Sequence, residues 1–374
     1  MINKTYNVLK NMFVLDSHCD TPSQIFRLRD IGLDNAHAHV DLPKMKAGGV
    51  DGSFFALFVP SYMATDTATR YALELLALVH DSIDANPDKA RMAVSVQEAL
   101  EIQSQGLVSI FIGMENGSPI QNSLPLLRLF HRMGVRYITL CHNGDNALCD
   151  AASQGTTWHG LSPFGREAVH EMNRIGMMVD IAHASDETFW DCIECSKAPI
   201  VSTHSCCRAL AGHRRNLTDD MIKALADKGG VIQINFYPLF LSDEFAEVLD
   251  KSGMDPRAEE IETAFRADPA DPAKRAAWYA VQDELLTLPR PGVATIVDHI
   301  DHAVKVGGID HVGIGSDFDG INVTPDGLEN ISMIGKIFDE MRRRGYGEDK
   351  IAKVAGGNFL RVLDEVANIA LSMR

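Results

Sequence analysis

Short apolar runs recur along the chain, and several end in a polar or metal-binding residue. Stretches with apolar residues at helical spacing lie between most of these runs, so the pattern alternates strand and helix. This alternation is typical of a parallel sheet, and a closed (β/α)8 TIM barrel explains it better than a Rossmann sheet. The eight predicted strands are 13–16, 53–59, 108–114, 137–141, 177–181, 200–203, 231–235 and 312–316. The predicted helices include 65–82, 124–133, 163–175, 186–195 and 218–228.

Three polar residues mark where predicted helices begin. Ser162 precedes Pro163, while Ser185 and Thr218 precede acidic first turns, which are the residue types that favour helix N-termini. These positions fix the register of the helices relative to the strands. In a barrel of this kind, the side chains at the C-terminal strand ends meet around one axis, so we expect the active site there.

Residues 242–290 break the regular alternation. The segment is long, charged and rich in alanine, and Pro256, Pro269, Pro272 and Pro289 interrupt it. It predicts a helical insertion between the seventh and the last strand. Such an insertion could form a lid or an oligomer contact, or it could be surface decoration. We find no internal repeat or interdomain linker, so residues 1–374 are expected to form one domain.

Composition and charge exclude several classes of protein. Hydrophobic residues make up 45% and charged residues 23% of the chain, and the mean hydropathy is -0.06, as in ordinary globular proteins. No apolar run approaches the roughly 20 residues of a membrane span. The net charge of -16 disfavours binding to nucleic acid or to an anionic membrane. A small molecule is the expected partner.

The N-terminus and the cysteines bear on location. Residues 1–11 are polar and lead into the first strand without the apolar core of a secretory signal. The seven cysteines are odd in number and widely spread, which fits reduced thiols better than a disulfide framework. We therefore expect a cytoplasmic protein, with a periplasmic location left open if a signal was trimmed.

Five residues at predicted strand ends are candidate metal ligands. His18 and Asp20 lie two apart, so their side chains point to the same side of a strand. Glu115 follows a strongly apolar strand, and His183 and His204 close two consecutive strands. Glu115 could instead pair with an arginine, and each histidine could be a hydrogen-bonded core residue. Nitrogen and carboxylate ligands together suit two zinc ions that share Glu115, with manganese or cobalt as substitutes.

Three further residues are candidates for catalysis and substrate binding. Asp317 ends the last strand, where it could move a proton or act as a sixth metal ligand. Alternatively, Asp319 could be the functional residue instead of Asp317. His142 ends the fourth strand and is better explained as a substrate contact than as a ligand. Arg215, next to Arg214, could bind a carboxylate with its planar fork, although arginines in loops are mostly solvated.

Together these residues resemble the renal or membrane dipeptidase family, a branch of the amidohydrolase superfamily. The resemblance runs through nearly the whole chain, from Asp16-Ser17-His18-Cys19-Asp20-Thr21-Pro22 through segments 113–117, 160–165, 171–174, 176–183, 202–205, 215–216, 313–320 and 357–361. It implies a zinc bound by His18 and Asp20, a second zinc bound by His183 and His204, and a bridging Glu115. It also implies that His142 and Arg215 hold the substrate, and that Asp317 rather than Asp319 is the proton shuttle.

The chain departs from the family pattern in two places. The family's substrate-side tyrosine after the seventh strand falls on or near Phe240, and the 242–290 insertion is longer than in the mammalian members. Side-chain preference therefore does not follow from the resemblance. The mammalian signal and lipid-anchor segments are missing from the sequence, so the membrane location of those relatives is not expected here.

These observations predict a dipeptidase. Two zinc ions would lower the pKa of a bridging water, and the resulting hydroxide would attack the peptide carbonyl. Asp317 would protonate the leaving amine, His142 would stabilise the oxyanion, and Arg215 would bind the free C-terminal carboxylate. Relatives suggest tolerance of a C-terminal D-residue and a homodimer. The alternatives are a dinuclear amidohydrolase that acts on a lactone, cyclic amide or phosphoester, and a noncatalytic zinc-dependent binding protein.

Overall fold

A ring of parallel strands forms the centre of the molecule. The computed structural model describes residues 12–63, 65–153 and 155–373, so the polar segment 1–11 lies outside the described residues. Eight strands are hydrogen bonded in the order β1-β2-β4-β5-β6-β7-β8-β9, and β3 pairs with β4 outside this path. The strands are β1 Leu15–Cys19, β2 Gly52–Phe58, β3 Ala90–Met92, β4 Val108–Glu115, β5 Val135–Thr139, β6 Met178–Asp180, β7 Val201–Ser205, β8 Val231–Ile234 and β9 Val312–Ile314.

The ring closes between β1 and the residues that follow β9. A parallel bridge joins Cys19 to Phe318, and the Asp20 amide donates to the Phe318 carbonyl at 2.8 Å. Deeper in the barrel, the buried Asp16 carboxylate accepts hydrogen bonds from the amide and the hydroxyl of Ser316, at 2.8 and 2.6 Å. The predicted TIM barrel is therefore confirmed.

All eight predicted strands are present, with ends displaced by a few residues. The largest displacement is in β1, which ends at Cys19 rather than at residue 16 and so includes His18. The prediction missed β3, a three-residue strand in which Arg91 is exposed. A strand this short at the outer side of a sheet carries no period long enough to recognise.

Helices surround the barrel, and the predicted ones are found within two residues of their expected ends. Ser162, Ser185 and Thr218 each accept a hydrogen bond from a backbone amide three residues later, so the predicted N-caps are confirmed. The helices are Thr21–Phe26, Leu42–Ala47, Thr65–Asp84, Val96–Ser104, Leu124–Arg132, Pro163–Ile175, Asp186–Cys195, Asp219–Asp227, Pro238–Leu241, Asp243–Ser252, Met254–Ala267, Pro272–Leu285, Val293–Gly307, Gly335–Arg343, Glu348–Ala352 and Asn358–Ser372.

The predicted insertion before the last strand is helical and has a small core of its own. Three of its helices span Asp243–Ser252, Met254–Ala267 and Pro272–Leu285. Phe245, Phe265 and Trp278 are buried against one another in a cluster separate from the barrel core. Because the segment buries these large side chains, it is a packed unit rather than a loose loop.

Aromatic residues fill the barrel below the strand ends. The Phe54 ring stacks on Phe111 with centroids 4.7 Å apart and meets Phe359 of the C-terminal helix edge-on at 5.1 Å. Tyr137 lies above this layer, 5.3 Å from Phe54, and fits only because residue 113 is glycine. A Cβ at Gly113 would lie 2.1 Å from the Tyr137 ring. The packing holds the Tyr137 hydroxyl at a fixed height under the strand ends.

A substitution at Gly165 is expected to destabilise the fold, although alanine normally favours a helix. Gly165 lies in the first turn of helix Pro163–Ile175, and a Cβ there would lie 2.0 Å from the Leu148 carbonyl oxygen. We expect Gly165→Ala to lower the free energy of unfolding by about 1–3 kcal/mol, because the backbone must shift. The measurement is a urea unfolding curve.

Gly335→Ala, in the first turn of another helix, is the matched control for Gly165→Ala. Nothing lies within 4 Å of a Cβ at Gly335, which begins helix Gly335–Arg343. Its unfolding free energy should be unchanged or about 1 kcal/mol higher. Equal stabilities of the two variants would contradict the close packing at Gly165.

Candidate active site

The five predicted metal ligands converge on the Glu115 carboxylate at the C-terminal end of the barrel. Glu115 is the last residue of β4, and one of its oxygens, Oε1, lies 2.9 Å from His183 Nε2 and 3.7 Å from His204 Nε2. The other oxygen, Oε2, lies 3.4 Å from His18 Nε2, which in turn lies 3.6 Å from Asp20 Oδ2. The two carboxylate oxygens therefore face different groups of ligands.

These side chains form overlapping groups whose ligand atoms all lie within 4.8 Å of one another. One group contains Glu115, His183 and His204, and another contains His18, Asp20 and Glu115. A third contains His18, His204 and Asp317. Glu115 belongs to the first two groups, so it could hold two cations at once.

Hydrogen bonds set the orientation of each histidine ring. Tyr137 donates to the Ser17 carbonyl at 3.3 Å, so its oxygen accepts from His18 Nδ1 at 2.9 Å. Thr203 donates to Asp180 Oδ2 at 2.7 Å and accepts from His204 Nδ1 at 2.9 Å. Because Nδ1 is the donor in each ring, Nε2 keeps its lone pair and faces Glu115.

His183 is also oriented by a hydrogen bond at Nδ1, but with a different partner. Its Nδ1 donates to Asn143 Oδ1 at 3.1 Å, which again leaves Nε2 as the free ligand atom. The residue lies just beyond β6 with a φ of 67°, in the left-handed region that L-residues rarely adopt. This conformation turns the imidazole toward the barrel axis.

Cations fit this site because its polar atoms are otherwise unsatisfied. His18 Nε2, His204 Nε2 and Asp20 Oδ1 are buried and have no hydrogen-bond partner among the described residues. Burial, followed by the nearby charge of Glu115, raises the pKa of Asp20 to about 6. Buried carboxylates side by side are costly unless a positive charge lies between them. The nitrogen and oxygen ligand atoms suit a divalent metal cation.

His142 lies beside this group without joining it. Its Nε2 is 4.0 Å from Glu115 Oε1, and its ring centroid is 4.3 Å from that of His183. Burial, followed by the charge of Arg215, lowers the pKa of His142 to about 3, so the ring is neutral at pH 7. A neutral imidazole at the cavity wall can donate one hydrogen bond to a substrate oxygen.

Asp317 faces the same space from the residues after β9. Asn235 Nδ2 donates to its Oδ2 at 2.9 Å. Burial, the largest cause, and the charge of Asp20 raise the pKa of Asp317 to about 6, although His18, Asn235 and Arg215 act in the opposite direction. A carboxyl group with a pKa this close to neutrality can both accept and release a proton.

Asp319, the other aspartate of this segment, is occupied by different partners. Arg29 Nη1 donates to its Oδ1 at 2.6 Å, and Thr21 Oγ1 donates to its Oδ2 at 2.9 Å. Arg29, His39 and these hydrogen bonds lower the pKa of Asp319 despite its burial. The geometry therefore favours Asp317 over Asp319 as the residue that faces the metal candidates.

Of the two adjacent arginines, only Arg215 is buried in the cavity. Its Nε has no hydrogen-bond partner within the described part of the chain, and its Nη2 donates to the His204 carbonyl at 3.4 Å. The guanidinium carbon lies 5.3 Å from the centre of the Phe240 ring. Arg214 is exposed and donates to the Ser153 carbonyl. Arg215 therefore has donors available for an anionic ligand.

The sequence analysis missed four residues that complete the site: Tyr137, Asn143, Asn235 and Tyr237. Asn235 follows β8, so the strand-end signal that identified the other candidates also applies to it. Tyr237 lines the cavity with Phe240, and burial, Asp255 and Asp317 raise the pKa of its hydroxyl. Tyr137 sits inside a strand and Asn143 in a loop, where only the tertiary structure shows their contacts with histidines.

The cysteines near the site are free thiols, as are all seven in the chain. Burial raises the pKa of Cys19 and Cys206 well above 9, so both are neutral at pH 7. Metals bind thiolates rather than thiols, and deprotonation is disfavoured here. Cys19 and Cys206 are therefore small buried packing residues rather than metal ligands.

A cavity of about 590 Å³ opens above the metal candidates. Helix Met254–Ala267 of the insertion lines it with Asp255, Glu259, Glu262 and Arg266. The sequence left the role of the insertion open, and the structure places it on the wall of the cavity. A substrate in the cavity would contact both the barrel and the insertion.

A TIM barrel with buried histidines and carboxylates at its C-terminal strand ends defines a metal-dependent hydrolase of the amidohydrolase type. Residues 2–374 match the family described as membrane dipeptidase, peptidase family M19. The chain belongs to this family and is a dipeptidase of the metallopeptidase class. In the described residues, no helix is both long and apolar enough to cross a membrane.

Relatives and solved structures agree with this assignment. The chain is 32% identical over 391 residues to an uncharacterized dipeptidase of Schizosaccharomyces pombe, covering 98% of this chain and 83% of the relative. It is similar to the probable dipeptidase PvdM from Pseudomonas aeruginosa, with a TM-score of 0.80, 27% identity and 98% coverage of both chains. It also resembles a Rhodobacter sphaeroides metallopeptidase liganded with a phosphinate mimic of L-Ala-D-Ala, with a TM-score of 0.76, 25% identity, and coverage of 95% and 100%.

Proposed function

We propose that this chain is a zinc-dependent dipeptidase that hydrolyses dipeptides with a free C-terminal carboxylate. The observation that carries this proposal is the Glu115 carboxylate, whose two oxygens face two groups of ligands in a cavity that also contains the buried, incompletely bonded Arg215. A cation pair and a carboxylate-binding group in one enclosed space suit a short peptide with a free C-terminus.

Two Zn²⁺ ions would be held by five residues. His18 and Asp20 would bind one ion, His183 and His204 the other, and Glu115 both, with Mn²⁺ or Co²⁺ as substitutes. When bound, the ions would supply Lewis acidity that polarises the peptide carbonyl and activates water. The orientation of the histidines by Tyr137, Thr203 and Asn143 supports this assignment.

Arg215 would bind the C-terminal carboxylate of the substrate. Its guanidinium is buried on the face of Phe240, so an ion pair there is little screened by solvent. Because Arg215 also contacts the backbone of His204, the carboxylate would be held close to the metal ligands. A longer peptide would place its next residue where this carboxylate belongs.

Asp317 and His142 would act on the reacting groups. Asp317, oriented by Asn235, would take a proton from the attacking water and deliver it to the leaving amine. His142 is neutral at pH 7 and would donate a hydrogen bond to the carbonyl oxygen as negative charge develops on it. Both residues line the cavity, and they follow strands β5 and β9, which are four strands apart in the ring of eight.

Several finer features belong to the proposal as well. Acceptance of a C-terminal D-residue is supported by the L-Ala-D-Ala mimic bound to the Rhodobacter sphaeroides relative. The free thiols support a reducing, cytoplasmic location. A homodimer stays a prediction that light scattering would test.

The experiment that tests the function is amine release from a panel of L,L and L,D dipeptides by zinc-loaded and chelated protein. Tripeptides and dipeptides with a blocked carboxyl group serve as controls. The expected result is zinc-dependent cleavage that is fast for dipeptides with a free carboxylate and much slower for the controls. No cleavage by fully loaded protein would refute the dipeptide substrate and direct the search to lactones, cyclic amides and phosphoesters.

Replacing Arg215 should remove the preference for a free carboxylate. Arg215→Met is expected to lower kcat/KM for a dipeptide about 10²-fold, since loss of a buried charge partner costs about 2–5 kcal/mol. The slow hydrolysis of a blocked dipeptide should be unaffected. Arg214→Met, at the exposed neighbouring position, is the matched control. An equal loss on free and blocked substrates would contradict carboxylate binding by Arg215.

The hydroxyl of Tyr137 should contribute to metal affinity without touching the metal. Tyr137→Phe removes the acceptor for His18 Nδ1 and is expected to weaken zinc binding about 10- to 100-fold. Competition with a chromogenic chelator measures this affinity. Tyr279→Phe, in the insertion, serves as the control, and equal affinities in the two variants would count against the orienting hydrogen bond.

A further inference from the structure

The segment Asp317–Gly320, which carries the candidate proton shuttle, has an unusual backbone. Asp317 and Asp319 have φ values of 61° and 66°, in the left-handed region that L-residues rarely adopt. Two such residues this close together persist only where surrounding contacts hold them. The contacts come from the first loop of the barrel, which follows β1.

Asp319 is the point at which the first loop holds this segment. Its carboxylate accepts from Arg29 Nη1 at 2.6 Å, from Thr21 Oγ1 at 2.9 Å and from the His39 amide at 3.3 Å. Its own amide donates to His39 Nδ1 at 3.0 Å, and Gln24 donates to its carbonyl at 3.1 Å. The Arg29 side chain is 11% exposed and that of Asp319 only 1%. This is a buried ion pair in which the carboxylate has several donors.

The chain makes a sharp reversal to bring Arg29 to this position. Helix Thr21–Phe26 ends, Leu28 adopts a φ of 69°, and the Arg29 amide donates to the Gln24 carbonyl at 3.0 Å. Arg29 Nη2 then donates to Gln24 Oε1 at 3.4 Å, which fixes the guanidinium plane. A leucine in this conformation is unfavourable by itself, so the reversal is held by the contacts that Arg29 makes.

The opposite side of the same segment touches the catalytic carboxylates. A Cβ at Gly320 would lie 2.1 Å from Asp20 Oδ2 and 2.8 Å from Asp317 Oδ1, so the backbone there packs directly on both groups. The Asp317 carboxylate accepts a hydrogen bond from Asn235, which follows β8 on the other side of the segment. A shift of Asp319 would therefore move the Asp317 carboxylate relative to the metal candidates.

We propose that Arg29 is a positioning residue for Asp317 and acts through its ion pair with Asp319. The inference rests on the proposed function, in which Asp317 moves the proton. Without Arg29, Asp319 would be a buried carboxylate without its cation, two residues from Asp317. It would turn away from the first loop, and the left-handed segment would relax with it. Arg29 itself does not touch the reacting groups.

The test compares Arg29→Met with Arg29→Lys in the zinc-loaded protein. Arg29→Met is expected to lower kcat about 10- to 100-fold, because a displacement of about 1 Å at the reacting groups costs that much. KM and zinc content should stay within about threefold of the wild type, since the side-chain hydrogen bonds of Arg29 go to Asp319 and Gln24 rather than to Arg215 or the metal candidates. Arg29→Lys keeps the charge and should recover about half of kcat. A lysine variant as impaired as the methionine variant would contradict the proposal.

Arg128→Met is the matched control. Arg128 forms a partly buried ion pair with Glu171 at 2.8 Å, on helices outside the cavity. Its loss should lower stability without changing kcat per folded molecule. An equal fall in kcat in the Arg128 and Arg29 variants, or a fall that follows zinc loss or unfolding, would overturn the positioning role.

A second measurement does not depend on activity. The amides of Asp319 and Ile321 donate to His39 Nδ1 and to the Asp317 carbonyl, at 3.0 and 3.2 Å. Hydrogen exchange of residues 317–321 should be about tenfold faster or more in Arg29→Met and unchanged in Arg128→Met. Unchanged exchange in Arg29→Met would refute the inference. Failure of the proposed function would appear separately, as wild-type protein that is fully loaded with zinc and cleaves no dipeptide.

Discussion

Asp317→Asn is expected to lower kcat for dipeptide hydrolysis about 10²- to 10⁴-fold while the zinc content stays at the wild-type value. Asparagine keeps the size of the side chain and can still accept a hydrogen bond from Asn235, but it cannot take up a proton from water or deliver one to the leaving amine. The measurement is kcat and KM for one dipeptide, combined with metal analysis of the same samples.

Asp250→Asn, at an exposed position of the insertion, is the control for this variant and should behave as the wild type. The metal analysis distinguishes two roles for Asp317, since its carboxylate lies within 4.8 Å of ligand atoms of His18 and His204. If zinc is lost together with activity, Asp317 is a ligand rather than a proton shuttle. Retained turnover with full zinc would refute both roles.

Glu115→Gln is expected to abolish the paired metal site. Glutamine presents one oxygen and no charge between the two groups of ligands, so the chain should retain at most one tightly bound zinc. Activity should fall about 10³-fold or more, because the metals supply several kcal/mol of transition-state stabilisation. Metal analysis after dialysis against a weak chelator measures the effect.

Glu171→Gln provides the comparison for Glu115. Glu171 is also a buried glutamate, but its partners are Arg128 and Arg174, outside the cavity. Its substitution should change stability and leave both zinc ions in place. Two zinc ions retained in Glu115→Gln would show that Glu115 is not shared between them, and the proposed arrangement of ligands would be wrong.

The barrel could be predicted because its strands end in recognisable chemistry. The buried parallel strands appear in the sequence as apolar runs, and β4 and β7 end at or next to Glu115 and His204. Since all C-terminal ends of parallel strands lie on one side of the barrel, the candidates had to be neighbours. The short strand β3 was not predicted because three residues are too few to show an alternation of apolar and polar positions. Its pairing with β4 depends on the fold.

The sequence predicted which residues of the candidate site lie close together, but not which contacts orient their side chains. Strand position placed His18 near Glu115, while nothing in the sequence places the Tyr137 hydroxyl against the His18 ring. That contact depends on aromatic packing within the barrel and on the absence of a side chain at Gly113. The choice between Asp317 and Asp319 could not be predicted from the sequence either, because it depends on the hydrogen-bond and ion-pair partners of each carboxylate in the folded chain.

The sequence by itself determined the barrel, the helical insertion before the last strand, and the residues that could bind metal and substrate. These features follow from local periodicity and from residue type at strand ends, which are written along the chain. Only the tertiary structure decided that Arg29 pairs with Asp319, that Arg215 rather than Arg214 is buried, and that the insertion lines the cavity. Each of these depends on contacts between segments far apart in sequence, where burial and hydrogen bonding act without leaving a local pattern.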